Sequence, residues 1–391
     1  MDAHNVDFVE VEEGLADLLF AGTDEELMLV LDYVKGLKPT EDLEKRKNEV
    51  VTKITLRLKE LESKVREGSD QFEKYVCTVD NVKTMLENYG VAIIPSILDP
   101  QECKDMVDGF WSFLEHVTSQ MQVPIDRNNE KSWSTFYDLY LLHGMLMQHW
   151  QVGHAQFVWN LRQNRKLVEV FAHIWNITPE ELSVSFDGAA FSMPSEVTNR
   201  GYYRGNKWFH TDQSLTNSKF VSVQSWVTGL EVRPGDATLT FLEGSNKLHA
   251  EFGKEFNKTD RDDWYKLTET ETEWFENRGC KAMNIVCPAG SLVLWDSRTM
   301  HAGKEPLKTR ERRNFRCVVY LCYMPKSLLT EANRKKKVKA LKELRMAGHW
   351  SAMKVKLFPK TPRTYGKELP KVVDIDPPVL NELGKSLAGL L

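Results

Sequence analysis

His210, Asp212 and His301 are the residues of this chain best suited to holding a metal ion. His210 and Asp212 flank one threonine. On an extended strand, successive side chains point to opposite faces, so residues two apart share a face. An imidazole and a carboxylate then stand side by side. A second imidazole from a neighbouring strand completes a facial set of two histidines and one carboxylate. That set leaves positions open on the metal and is the mark of non-haem Fe(II) oxygenases. His-x-Asp alone is weak evidence because it occurs by chance, so its setting has to carry the assignment.

The setting is strand-like throughout. Trp208-Phe209 lead into His210. Val221 to Val227 is rich in β-branched and aromatic residues. The run from Leu230 to Leu242 continues as strand, turn and short strand. It ends in a small-residue elbow, Glu243-Gly244-Ser245-Asn246-Lys247-Leu248-His249, where His249 reads as a loop anchor. Residues 250–279 read as a charged helical insert. Cys287-Pro288-Ala289-Gly290 turns into an apolar strand ending at Asp296, and His301 follows at once. Four arginines come next, Arg310, Arg312, Arg313 and Arg316, leading into a strand from Phe315 to Tyr323. Just before the proposed ligands, the polar glycine-rich loop 198–207 carries Arg200, Tyr202, Arg204 and Lys207. Function concentrates on loops held by a rigid scaffold, so these residues are candidates for meeting a polar or anionic substrate. A solvated hairpin tip is the other reading. His143, His149 and His154 lack the spacing of a helical zinc site and read as structural.

Upstream, Val82 to Tyr89 is a short helix ending at Gly90, and Val91 to Ile94 is a strand. Asp99 and Pro100 are the N-cap and first residue of a helix whose apolar face is Met106, Val107, Phe110, Phe113, Leu114 and Val117. This opening, followed in order by His210-x-Asp212, the elbow, His301 and an arginine, resembles the phytanoyl-CoA dioxygenase-like family of Fe(II)/2-oxoglutarate oxygenases. The resemblance covers residues 78–330. In the elbow, Glu243 and Asn246 stand where the family has proline and histidine.

The resemblance implies a mostly β core with added helices, folded as a double-stranded β-helix of jelly-roll or cupin-like form. It implies that His210, Asp212 and His301 hold Fe(II), with room left for 2-oxoglutarate and O2. The distal carboxylate of 2-oxoglutarate needs a planar bidentate cation, and the family's spacing ranks Arg312 first, then Arg316, then Arg310. Trp226 matches a cosubstrate-pocket tryptophan. The implied reaction hydroxylates a substrate while 2-oxoglutarate becomes succinate and CO2. Halogenating relatives lack the carboxylate ligand, so Asp212 favours hydroxylation or desaturation.

The chain's 391 residues, formal charge of −4 and 41% hydrophobic content fit one large globular domain with appendages. A small-molecule substrate is expected rather than nucleic acid, because the near-neutral charge offers no basic footprint. No apolar run is long enough to cross a membrane and no basic, apolar leader is seen, so an intracellular, cytoplasmic protein is expected. Six cysteines without CxxC spacing suggest reduced thiols. Three regions are expected: a helical extension over 1–75, the oxygenase domain over 76–330, and a basic tail over 331–391. In the extension, Thr23-Asp24-Glu25-Glu26 resembles a capping box, and a second helix starts near Thr40 after Pro39. Val51, Ile54, Leu58, Leu61 and Val65 form a seam for a partner helix, either intramolecular or in a homodimer. The basic run Arg334 to Lys337 reads as a solvated helix face. Two other classes compete with the oxygenase. One is a zinc hydrolase, which needs a general base beside the metal, and no carboxylate is close in sequence. The other is a cupin-like binding module without catalysis.

Overall fold

A computed structural model of the chain describes residues 15, 19, 24–36, 41–63, 68–205, 207–260, 262–364 and 366–391. It divides into two compact units, residues 1–67 with 203–207, and the remainder. In the smaller unit the helices Asp24–Gly36 and Glu41–Ser63 bury Leu27, Leu31, Val34, Val50 and Ile54 together. These positions recur at helical spacing, so each helix presents one apolar stripe to the other. Ile54 belongs to the expected seam, and Val51 packs beside it. Thr23, Pro39, Thr40 and Val65 lie outside the described residues, as do the side chains of Glu26, Leu58 and Leu61.

The larger unit contains fourteen described strands: β1 Ser69–Gln71, β2 Val91–Ile94, β3 Leu146–Met147, β4 Leu182–Val184, β5 Ala189–Ser192, β6 His210–Thr211, β7 Val223–Thr228, β8 Thr238–Leu242, β9 Tyr265–Lys266, β10 Ala282–Ile285, β11 Leu292–Asp296, β12 His301–Lys304, β13 Arg316–Tyr320 and β14 Tyr323–Pro325. Two six-stranded sheets face each other, in the orders β1-β10-β8-β12-β6-β9 and β2-β11-β7-β13-β5-β3. This is a double-stranded β-helix.

Register decides which side chains face the space between the sheets, because residues directly opposite one another across an antiparallel pair share a face. In the first sheet His301 is opposite both His210 and Phe241, and Phe241 is opposite Met283. In the second sheet Trp226 is opposite Val293 and Tyr320, and Gln224 is opposite Trp295. Phe241, Met283, Trp226, Val293, Trp295 and Val318 pack into one inner cluster. The inner face therefore carries His210, His301, Gln224 and Arg316 among apolar neighbours. The outer face of the second sheet packs on the helix Pro100–Val117 and on the helices Gln156–Arg162 and Arg165–Trp175. Asp99 caps the first of these, accepting from the Gln101 and Glu102 amides at 3.0 and 2.9 Å. The helices Ser245–Glu255 and Glu269–Asn277, the expected insert, cover the other sheet. All six cysteines are buried and unpaired, and no described helix is long and apolar enough to cross a membrane.

Two expectations change. Residues 69–75, read as part of the extension, belong to the barrel. β1 pairs in parallel with β10, and Tyr75 packs its buried ring edge-on against Phe241 at 5.4 Å. A three-residue edge strand is too short to show a period-two pattern. The basic tail helix, Glu331–Lys342, is likewise not a wholly solvated face. Lys337 is 2% exposed, donates to the Val184 carbonyl, and lies 4.4 Å from the Phe186 ring centre. Burial, with Arg162 and Lys326 nearby, pushes its ammonium well below the ordinary 10.5. The unfolded chain then binds more protons than the folded one between the lowered value and 10.5, so stability rises with pH across that window. Raising the pH from 7 to 10 is expected to raise the wild-type Tm relative to Lys337→Met by about 2–4 °C. Calorimetry at both pH values checks this, and a constant Tm difference would contradict it.

Candidate active site

β6 and β12 are neighbours, which places His210 and His301 side by side with ring centres 4.4 Å apart. Asp212 leaves the end of β6 on the same side. Its Oδ2 is 3.7 Å from His210 Nε2 and 3.4 Å from His301 Nε2. One donor atom from each of the three residues lies within 4.8 Å of the others. Among the described residues this is the one such group of three or more.

The histidines are oriented by backbone. His210 Nδ1 is 3.2 Å from the Trp208 carbonyl and His301 Nδ1 is 2.8 Å from the Thr299 carbonyl. A carbonyl only accepts, so each Nδ1 carries the proton and each Nε2 is turned toward Asp212. Burial pushes the Asp212 carboxyl up, but the His210 and His301 imidazoles beside it hold it well below the usual carboxylate range. Burial and the neighbouring His210 push the His301 imidazole down. An ionised carboxylate and a neutral imidazole are the forms a cation needs.

Gln224 completes this shell. Its Nε2 donates to Asp212 Oδ2 at 3.0 Å, holding the carboxylate from the opposite sheet. Sequence reading missed it, although its place two residues before Trp226 on a period-two strand was the available signal. Gln224→Leu is expected to weaken Fe(II) binding about 10–100-fold, the usual cost of losing a partner that orients a ligand. An anaerobic Fe(II) titration measures this, and unchanged affinity would count against the assignment.

The arginines separate clearly. Arg312, ranked first by spacing, is exposed. Arg310 is tied to Glu196 at 2.5 Å and to Asp236 at 3.0 Å, and Arg313 to Glu130 at 2.8 Å. Only Arg316 of the four lies on the inner face, 4% exposed. Its Nη1 donates to the Ala237 carbonyl at 2.9 Å, and its guanidinium is 5.3 Å from the ring centre of the fully buried Trp226. Arg316 Nε, Trp226 Nε1 and Trp295 Nε1 are buried donors without partners. Trp295 in turn lies 5.4 Å from the His301 ring. Buried donors are normally satisfied, so unpaired donors on the inner face fit an anionic guest in the barrel.

Arg200 is exposed, its guanidinium stacked 4.4 Å over Tyr137. Tyr202 has Lys308 5.8 Å from its ring, and Arg204 falls in the smaller unit. An aromatic wall of the site is formed by Trp208, stacked 4.8 Å from His210, and by His143, stacked 3.9 Å from Trp208. His249 anchors the elbow through the Gln213 carbonyl at 3.1 Å. Buried His154 bonds the Arg345 carbonyl at 3.0 Å. Asp187, which is not a sequence candidate, has its carboxyl pushed up by burial, and the Asp212 charge adds to that.

A double-stranded β-helix with two histidines and a carboxylate at one end and a buried arginine inside is the architecture of an oxygenase. The phytanoyl-CoA dioxygenase (PhyH) profile matches residues 86–314, more than half of the 391-residue chain. The chain belongs to that family, whose cofactors are Fe(II), 2-oxoglutarate and O2. An Aspergillus versicolor protein, Ava biosynthesis cluster protein O, is 27% identical over 255 residues, covering 62% of this chain and 76% of that protein. Two solved bacterial structures share the fold. A hypothetical protein from Escherichia coli is 13% identical with a TM-score of 0.51, covering 100% of this chain and 98% of its own. A putative oxidoreductase from Salmonella typhimurium LT2 is 11% identical with a TM-score of 0.50, covering 94% and 97%.

Proposed function

We propose that this protein is an Fe(II)- and 2-oxoglutarate-dependent dioxygenase that hydroxylates a small molecule, releasing succinate and CO2. The observation that carries the reading is the convergence of His210, Asp212 and His301, with both imidazoles turned inward by backbone carbonyls. These three residues would hold the metal, and iron with 2-oxoglutarate supplies the oxidising chemistry when bound. The chain's own residues do the rest. Arg316 offers its free Nε–H to the distal carboxylate, in a pocket where burial strengthens that pairing. Gln224 keeps Asp212 aimed. Trp226 and Trp295 exclude water and offer indole N–H donors. His143 and Trp208 back His210 and fix its ring plane.

Asp187 supplies a carboxylate near Asp212, the feature a zinc hydrolase would need. The buried, partly unpaired Arg316 has no part in hydrolysis and favours the cosubstrate reading. The relative's naming for a biosynthesis cluster supports a small organic substrate. The test is succinate release from 2-oxoglutarate by the iron-loaded protein, with and without a panel of small organic molecules. Release stimulated by a panel member supports the reading. Failure to turn over 2-oxoglutarate under any condition would sink it.

A further inference from the structure

Of the eleven tryptophans in the chain, Trp264 alone is exposed, at 55%, and it stands beside the metal residues. Its ring centre is 6.0 Å from that of His210. Strand pairing puts it there. β9 is the edge strand next to β6, with His210 opposite Lys266 and Thr211 opposite Tyr265. Carried one residue further, that register brings Trp264 opposite Asp212. Residues opposite one another across an antiparallel pair share a face, and so do residues two apart on one strand. Trp264 therefore shares a face with both His210 and Asp212. Asp212 is the more open of the two, its side chain 17% exposed against 8% for His210. The metal set thus opens to solvent at the residue opposite Trp264.

The backbone on either side of Trp264 is pinned. Before it, Asp263 Oδ1 accepts from the Ser214 amide at 3.2 Å and from Lys354 Nζ at 2.6 Å. Ser214, two residues past Asp212, also donates from its Oγ to the Asp260 carbonyl at 3.1 Å. After it, the Leu267 amide donates to the Phe209 carbonyl at 2.8 Å. Tyr265 Oη donates to Glu271 Oε1 at 2.8 Å, and Lys258 Nζ pairs with the same oxygen at 2.8 Å. An aromatic face fixed in advance at the rim binds a guest with little ordering cost. Leaving an indole in water forgoes the burial that the other tryptophans gain, and a guest that covers it recovers that term.

The chemistry of the guest follows from the surroundings. Trp208 stacks on His210 and His143 stacks on Trp208, so the neighbouring wall is aromatic too. An indole face takes a flat π-system in offset stacking. It also attracts cations, but Lys266, exposed and on the same face, sets a positive charge beside it and disfavours a cationic guest.

We propose that Trp264 is the substrate platform of this site: a flat aromatic or conjugated ring of the substrate stacks on its indole and is held over the mouth of the metal set. Oxidation of a C–H on or next to that ring rests on the oxygenase reading above. The platform itself rests on the position and exposure of Trp264.

The test is calorimetric binding of 2-naphthol, decahydro-2-naphthol and tetramethylammonium to the anaerobic protein loaded with Fe(II) and 2-oxoglutarate. The two alcohols share a carbon skeleton and differ in flatness. The wild type is expected to bind 2-naphthol about fivefold or more tighter than its saturated counterpart, the scale of one aromatic stack. Trp264→Phe should keep most of that preference. Trp264→Leu, apolar but not flat, should erase it, as should Trp264→Ala. A purely structural role would not separate Phe from Leu by the flatness of the probe, and that contrast stands even if the Ala variant fails to fold. Equal binding of the two alcohols, tighter binding of tetramethylammonium than of 2-naphthol, or a wild-type preference kept in Trp264→Leu would overturn the platform. The visible band of the iron–2-oxoglutarate chelate, read on the same samples, keeps the two hypotheses apart. A wild type without the band overturns the oxygenase reading and the C–H oxidation with it. A band without preference for the flat probe overturns the platform alone.

Discussion

Asp212→Ala is expected to lose more than about a hundredfold in Fe(II) affinity, since removing only an outer partner of a ligand already costs 10–100-fold. Succinate formation should fall with it to background. The reason is geometric. His210 and His301 are adjacent on paired strands and together supply two donors. Among the described residues Asp212 is the only carboxylate that closes the set within 4.8 Å, and it carries the negative charge that offsets the cation. Asp187 cannot replace it, because among the described residues it is not part of that group. Anaerobic calorimetry with Fe(II) and a succinate assay measure both effects. Wild-type affinity in the variant would contradict the proposed ligand set.

Arg316→Met is expected to raise the 2-oxoglutarate KM about a hundredfold or more, with kcat less affected. A hydrogen bond to a charged group is worth roughly 1.5–3 kcal/mol, and a bidentate pair in a buried pocket loses two. Methionine fills similar volume, so Trp226 keeps its packing. Arg312→Ala is the paired control and should change KM by less than about twofold, as an exposed charge away from the inner face contributes little. Steady-state kinetics at varied 2-oxoglutarate separate the two. A larger effect at Arg312 than at Arg316 would overturn the assignment.

The barrel and the three proposed ligands were legible because their signals are local. His210 and Asp212 share a face by strand period alone, and His301 follows an apolar strand at a spacing the family shares. The ranking of the arginines was not legible, because spacing cannot see a loop that precedes a strand. Arg310 to Arg313 form that loop, and the strand that turns Arg316 inward begins only at Arg316. Gln224 lay within reach of the same period-two argument that found His210 and Asp212. The path of the tail did not: it crosses β4 through a contact between residues more than 160 apart, and nothing in either segment announces it. Lys337 was misread for a related reason: a run of four basic residues on a helix must turn some inward, and composition does not say which.

The most direct test of the central claim is an anaerobic titration of Fe(II) and 2-oxoglutarate into the wild type and Asp212→Ala, followed in the visible. Bidentate binding of the keto acid to protein-held iron gives a weak charge-transfer band, which requires the metal ligands and the cosubstrate pocket together. The wild type should develop the band with both components present, and Asp212→Ala should lose most of it. No band in the wild type, or a band equally strong in the variant, would contradict the oxygenase assignment.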